Sequence, residues 1–277
     1  MVDAPPLTPL ASLARRHDPD RFLCALFAPA ERREPLFALI AYNHELARAR
    51  EAARTPLIAL MRLQWWRDTV EAAATGKPPR RHEVAEPLHA AIAAGALDPA
   101  DLTAMADARE AEAEEGGIPT RDAFAAYLRG TAGGFAVAAG RLLGAPPALL
   151  PGLQEAGAAY GLAGVLRSVP ALAAQGRVLL PEEALAERGL TAEAAIAEPG
   201  SATVREIVAE LARAGQARLA ETAAALRGLP RSTVAAALPL VLARRDLARL
   251  ATEREVPAER GFRERAAVAI AGLLGQV

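Results

Sequence analysis

Few residues of this chain combine the type and the spacing that chemistry requires. His82, Glu86 and His89 stand at i, i+4 and i+7, so a helix through them would gather three metal ligands on one face. A zinc site also needs ligands from elsewhere, and the surrounding Pro- and Arg-rich stretch reads as surface. His44 lies beside Ile40 and Ala47 on an apolar helical stripe, where a satisfied core or pocket histidine fits better than a general base. Asp107, Arg109 and Glu110 open an acidic run to Glu115, which reads as a solvated helix face with i, i+4 pairs. Gly133 and Gly134 cost a helix interior about 1 kcal/mol each unless two helices cross closely there. They do not form a phosphate loop, because no strand precedes them and no Lys-Ser/Thr follows. Trp65 and Trp66 are adjacent, about 100° apart on a helix, so at most one faces a cavity squarely. Cys24 sits between Leu23 and Ala25 with nothing nearby to activate its thiolate.

The elements that must position these residues are helical. The chain has 277 residues, 52% hydrophobic and 23% charged, which excludes a disordered chain and suffices to enclose a core and a ligand-sized cavity. Lys+Arg 32 against Asp+Glu 33 leaves a formal net charge of -1, so nucleic acid finds no general attraction here. Lys77 is the one lysine; an arginine-for-lysine bias of this kind reflects codon usage, and raw arginine counts carry little weight. Apolar positions recur at three- and four-residue spacing, and Pro or Gly punctuates them into nine to eleven helices. These are expected over residues 30–53, 56–74, 151–169, 202–226, 231–250 and 257–274, with others starting at Asp98-Pro99 and Pro119-Thr120. Residues 170–182 read as the longest irregular connection. No linker or repeat divides the chain, so residues 1–277 read as a single domain. A lone cysteine fits a reducing compartment, and the N-terminus lacks the pattern of a secretory signal. No apolar stretch is long enough to span a bilayer. The expectation is a cytoplasmic protein able to lie on a membrane.

Three blocks, in order, resemble the squalene/phytoene synthase family over roughly residues 20–250: Phe37-Ala38-Leu39-Ile40-Ala41-Tyr42-Asn43, then Leu63-Gln64-Trp65-Trp66-Arg67, then Val165-Leu166-Arg167-Ser168-Val169 with Gly176-Arg177-Val178-Leu179-Leu180-Pro181. The resemblance implies an all-α isoprenoid-synthase bundle around a central apolar cavity. It also implies head-to-head joining of two prenyl diphosphates, with Mg²⁺ held by two D-x-x-x-D motifs on facing helices. Carboxylates four residues apart share a helix face, and two such pairs could cluster hard cations around a diphosphate leaving group.

This chain departs from the family at those positions. The first motif reads Ala47-Arg48-Ala49-Arg50-Glu51 and the second Ser168-Val169-Pro170-Ala171-Leu172, so one expected acid of four remains, and Leu179 stands where the family commonly has Tyr. The basic residues Arg167 and Arg177 persist; guanidinium groups recognise phosphate or carboxylate by paired hydrogen bonds, or they form interhelical salt bridges. A closer similarity, through Glu45-Leu46-Ala47, Leu60 to Arg67 and Ala106 to Glu110, is to the branch of the family that includes a mitochondrial assembly factor for respiratory complex I. The resemblance implies a degenerate pocket containing Glu51, Gln64, Asp107, Arg167 and Arg177, with no catalytic residue, no metal ligand and no cofactor. Its partner would be a respiratory-complex subunit or assembly protein, with an isoprenoid or lipid as a further ligand. The alternative is a Mg²⁺-dependent prenyltransferase that takes its acids from Glu51, Asp107 and Glu155.

Overall fold

A computed structural model describes residues 7–53, 55–113, 117–254, 256–257 and 260–277. In chain order its helices are α1 (Pro9–His17), α2 (Pro19–Ala25), α3 (Ala30–Glu51), α4 (Pro56–Ala74), α5 (Ala85–Ala93), α6 (Pro99–Ala108), α7 (Arg121–Leu128) and α8 (Gly134–Leu142). There follow α9 (Leu150–Arg167), α10 (Val169–Ala173), α11 (Glu182–Ala186), α12 (Ala192–Ala197), α13 (Ala202–Ala225), α14 (Val234–Ala237), α15 (Pro239–Leu250) and α16 (Phe262–Leu274). No strand occurs among the described residues.

Helix starts follow side-chain chemistry. Thr8, Asp18, Thr55, Asp98, Thr120, Thr191 and Ser201 each accept a backbone N–H of the first turn of the helix they precede, satisfying a donor that the helix itself cannot. In α1, α2, α4 and α6 a proline follows the cap, where its missing N–H costs nothing. The long helices fall where periodicity places them. Those that differ are short: α10, α11, α12 and α14 are four to six residues long, too few for a repeat to register. The stretch expected as one helix over 231–250 breaks at Leu238, because Pro239 has no N–H to continue the ladder from α14. The helix expected from Pro257 starts at Phe262, after Gly261; Ala258 and Glu259 lie outside the described residues, as do Met1–Pro6 of the N-terminal stretch.

The core of the bundle is the crossing of α9 with the α7–α8 junction. Between those helices Arg129–Gly133 forms a π-turn, a wide turn that shifts the register of the side chains on either side of it. Against it run Gly157 and Gly161 of α9. A Cβ on Gly157 would lie 2.4 Å from the Ala132 carbonyl oxygen, one on Gly161 2.7 Å from the Ala132 Cβ, and one on Gly133 2.8 Å from the Gln154 carbonyl oxygen. The glycines therefore set the close helix approach expected from Gly133-Gly134. On the far side of the core Tyr42 is fully buried, donates its hydroxyl to the Leu102 carbonyl at 2.8 Å and meets Trp66 edge-on at 5.4 Å.

Candidate functional site

Beside the α9 crossing the bundle encloses a cavity of about 920 Å³, reached by residues of α1, α2, α3, the π-turn, α9, α15 and α16. Its lining is not simply apolar. Seven arginines (Arg15, Arg21, Arg109, Arg167, Arg177, Arg260 and Arg265) face it with four carboxylates, Asp18, Asp20, Glu51 and Glu112. Most of these charges are matched in two clusters.

In the first, Arg260 is held between two aspartates. Its Nη1 and Nη2 donate to Asp246 at 2.7 and 2.8 Å, while Nε and Nη2 donate to Asp20 at 3.0 and 2.9 Å. Arg167 approaches Asp246 at 3.5 Å, and Tyr160 donates its hydroxyl to Asp20 at 3.2 Å. Both aspartates are buried, and their charges hold the Arg260 guanidinium proton more tightly than usual despite partial burial. Burial and then the nearby Asp18 and Asp20 push the Tyr160 hydroxyl well up.

In the second cluster buried Glu112 accepts from Arg109 at 2.5 Å, from the Tyr127 hydroxyl at 2.8 Å and from Arg177 at 3.3 Å. Asn43 Oδ1 accepts from Arg109 at 3.4 Å. Between the clusters Arg21 pairs with Asp18 at 2.8 Å and lies against two rings, its guanidinium carbon 4.3 Å from the Phe135 centroid and 4.8 Å from that of Tyr160. A cation in contact with aromatic faces is stabilised there by the ring quadrupoles. Also in the lining, His44 stacks on His17 with centroids 4.1 Å apart. Burial, reinforced by His17 and Arg48, lowers the His44 pKa to about 4. Its Nε2 is buried with no hydrogen-bond partner among the described residues.

Of the pocket residues expected from the sequence, Glu51, Arg167 and Arg177 line this cavity; Gln64 and Asp107 do not. Leu63 and Trp66 turn inward from α4, which sends Gln64 outward, where it donates to Asp68 at 2.7 Å. Asp107 is held 2.6 Å from Arg67, which also pairs with Glu110. Glu155, offered with the prenyltransferase alternative, pairs with Arg218 at 3.1 Å outside the cavity lining.

The structure departs from two of the sequence expectations. The run beginning at Asp107 is not wholly a solvated face: Asp107 and Glu110 are exposed, but Glu112 is buried at the centre of an ion cluster. Glu114 and Glu115 lie outside the described residues. Neither Trp65 nor Trp66 lines the cavity, in keeping with the expectation that at most one would; both pack on His82. His82, Glu86 and His89 do not share a helix face, since α5 starts only at Ala85. There His82 Nδ1 accepts the Val84 N–H at 3.1 Å and His89 Nε2 lies 2.8 Å from the Lys77 carbonyl. Cys24 is buried in the core, and burial raises its thiol pKa well above the ordinary value.

The site residues missed by sequence reasoning are Asp20, Arg21, Arg109, Glu112, Asp246 and Arg260. One signal was present: the charged pair Asp20-Arg21 runs directly into Phe22-Leu23-Cys24-Ala25, and buried charges need partners. The partner segments are far apart in the chain, so nothing local names them.

The donor set does not suit the Mg²⁺ that the fold family implies. Hard cations need carboxylate oxygens with open lone pairs. Asp18, Asp20 and Glu112 already accept from arginines, positions 47, 168 and 172 carry Ala, Ser and Leu, and Glu51 is left as a single exposed carboxylate in the lining. Among the described residues no three of His, Cys, Asp and Glu converge closely enough to hold a metal ion.

The all-helical bundle around a cavity is as the resemblance implied, but the cavity expected to be apolar is lined by charges, most of them paired, because several helices each bring an arginine or carboxylate to it. The squalene/phytoene synthase family model matches residues 14–269, and the chain belongs to that family. Among curated proteins it is 28% identical over 200 residues to the NADH dehydrogenase (ubiquinone) complex I assembly factor 6 of Homo sapiens and likewise to that of Bos taurus, covering 72% of this chain. The homolog of that factor in Drosophila melanogaster is 29% identical over 197 residues. The chain spans about 60% of the length of the two mammalian relatives. Among solved structures, a dehydrosqualene synthase crystallised with ligand superposes with a TM-score of 0.78 at 15% identity, covering 96% of this chain and 94% of its own. Squalene synthase HpnC from Alicyclobacillus acidocaldarius gives 0.67 at 18%, covering 96% and 92%. At such identities these structures establish the shared fold.

Proposed function

We propose that this chain is a family member that does not transfer prenyl groups and acts as an assembly protein for a respiratory NADH dehydrogenase complex. The observation that carries the reading is that three of the four carboxylates lining the cavity, Asp18, Asp20 and Glu112, are engaged by arginines, leaving Glu51 to meet a chemistry that needs several carboxylates open to Mg²⁺. Each contact that stabilises developing charge is worth on the order of 3 kcal/mol, more than a hundredfold in rate. Loss of three expected acids outweighs what the retained arginines restore. The names of the curated relatives support the assembly role.

Purified protein given Mg²⁺ with farnesyl or geranylgeranyl diphosphate should release no pyrophosphate above an enzyme-free blank. Steady Mg²⁺-dependent release, abolished by Glu51→Gln, would overturn the reading in favour of a prenyltransferase. Deleting the gene in its own host should deplete assembled NADH dehydrogenase on native gels, and pull-down should recover a subunit or assembly protein of that complex.

A second reading, retention of an isoprenoid or another lipid, is favoured by the cavity volume and by the excess of arginines over carboxylates in its lining. An anionic head would sit among the guanidinium groups. Native mass spectrometry of the purified protein should then show a co-purified amphiphile.

A further inference from the structure

We propose that the first two turns of α4 are a docking face that seats on a bilayer containing anionic lipid. Leu57 and Met61 are 66% and 64% exposed, and Ile58 and Leu60 are exposed beside them. Ala59 and Leu63 of the same turns are buried, so α4 is apolar on both its inner and outer sides at this end. A helix facing water on one side should be polar there. Thr55 caps the helix and Pro56 opens it, so the patch is presented on ordered backbone rather than on a loop.

The charge along this stretch of sequence is mainly basic. From Ala52 to Arg67 the chain contains no acidic residue but has Arg54, Arg62 and Arg67, while Arg48 and Arg50 come shortly before, followed by Glu51; Arg48 lies 3.5 Å from Glu45. Arg67 is committed to Asp107 and Glu110; Arg62 is exposed on the same turns as the apolar patch. Aliphatic side chains flanked by arginines, whose stems can lie along apolar surface while their heads reach phosphate, are what an interfacial helix offers to anionic lipid. The cores of protein interfaces favour aromatic anchors, and the exposed apolar residues of this patch include none. No helix among the described residues is long and apolar enough to cross a membrane, so attachment through this face is a surface contact. Its place in the chain suits a protein with an amphiphile-sized cavity: α3 ends at Glu51, which is exposed and lines that cavity, and α4 follows directly.

The inference is independent of whether prenyl transfer occurs. The test is flotation of the full chain with phosphatidylcholine vesicles made with and without phosphatidylglycerol. The protein should float with the anionic vesicles and much less with neutral ones. Leu57→Glu with Met61→Glu should reduce the bound fraction more than about tenfold, and Arg62→Gln about fivefold. Leu273→Glu with Leu274→Glu, on the exposed side of α16, should float normally. Circular dichroism and thermal melts of all variants should match the parent, because the altered side chains are exposed. Failure of the parent to float with anionic vesicles would overturn the proposal. So would normal flotation of the α4 variant, whether or not it has lost a co-purifying protein, or loss of flotation through the α16 variant.

Discussion

Arg260 and Asp246 meet in a two-point ion pair, with Nη1 to Oδ1 at 2.7 Å and Nη2 to Oδ2 at 2.8 Å, while the same guanidinium reaches Asp20 on α2. One side chain thus ties the segment before α16 to both α15 and α2. Both flanking aspartates are withdrawn from water. A buried pair of this kind adds little net stability compared with apolar packing of the same shape, yet removing one partner strands the other's charge.

Asp246→Asn should therefore destabilise the protein by about 3 kcal/mol, leaving Arg260 with Asp20 alone and the cluster with one uncompensated positive charge, that of Arg167. For a chain of this size that is a fall of roughly 8 °C in midpoint, read by differential scanning calorimetry. The triple change Asp20→Asn, Asp246→Asn and Arg260→Met should recover much of the loss, since the one charge it leaves without a partner, Arg167, is partly exposed to water. A triple variant less stable than Asp246→Asn would contradict this account.

Gly157→Ala tests the helix crossing. Alanine is the better helix former by about 1 kcal/mol, so an uncrowded site would gain stability. Here the new methyl would lie 2.4 Å from the Ala132 carbonyl and 2.9 Å from the Gly133 Cα, and backbone cannot rotate away. The clash should win, with a net loss of about 1–2 kcal/mol in urea unfolding. Gly164, with nothing within 4 Å of its added Cβ, is the control, and Gly164→Ala should be neutral or stabilising.

Stability should also fall in mild acid because of His44. Its folded pKa of about 4 lies below the ordinary 6.5, so between those values the unfolded chain binds a proton that the folded one refuses. The contribution is whole above pH 6.5 and declines as pH drops toward 4. Between pH 6.5 and 5 most carboxylates keep their charge, and comparison with the His44 variant separates this histidine from the other three. Thermal midpoints across that window should slope downward for the parent and more shallowly for His44→Gln; parallel curves would show that His44 does not carry the slope.

Much of the fold was legible because it is written locally. Thr55-Pro56 and Asp98-Pro99 combine a cap with a proline, and the long helices between such signals repeat their apolar residues at helical spacing. The paired glycines at 133 and 134 foretold a close crossing, though not that Gly157 would be the residue pressed against it. Short helices such as α11 escaped notice, since five residues cannot display a period.

The cavity was legible only in part. Glu51, Arg167 and Arg177 were found because they stand in recognisable blocks; Gln64 and Asp107 stood in such blocks too, but the rotation of α4 and the reach of Arg67 took them elsewhere. The amino-acid order by itself determined that the chain is helical and where its long helices start. Only the tertiary structure decided that Asp20 and Asp246 share one arginine and that Glu112 lies inside. Helix formation is governed by neighbours within four residues, whereas the pairing of buried charges is settled by whichever distant helices the packing of the core brings together.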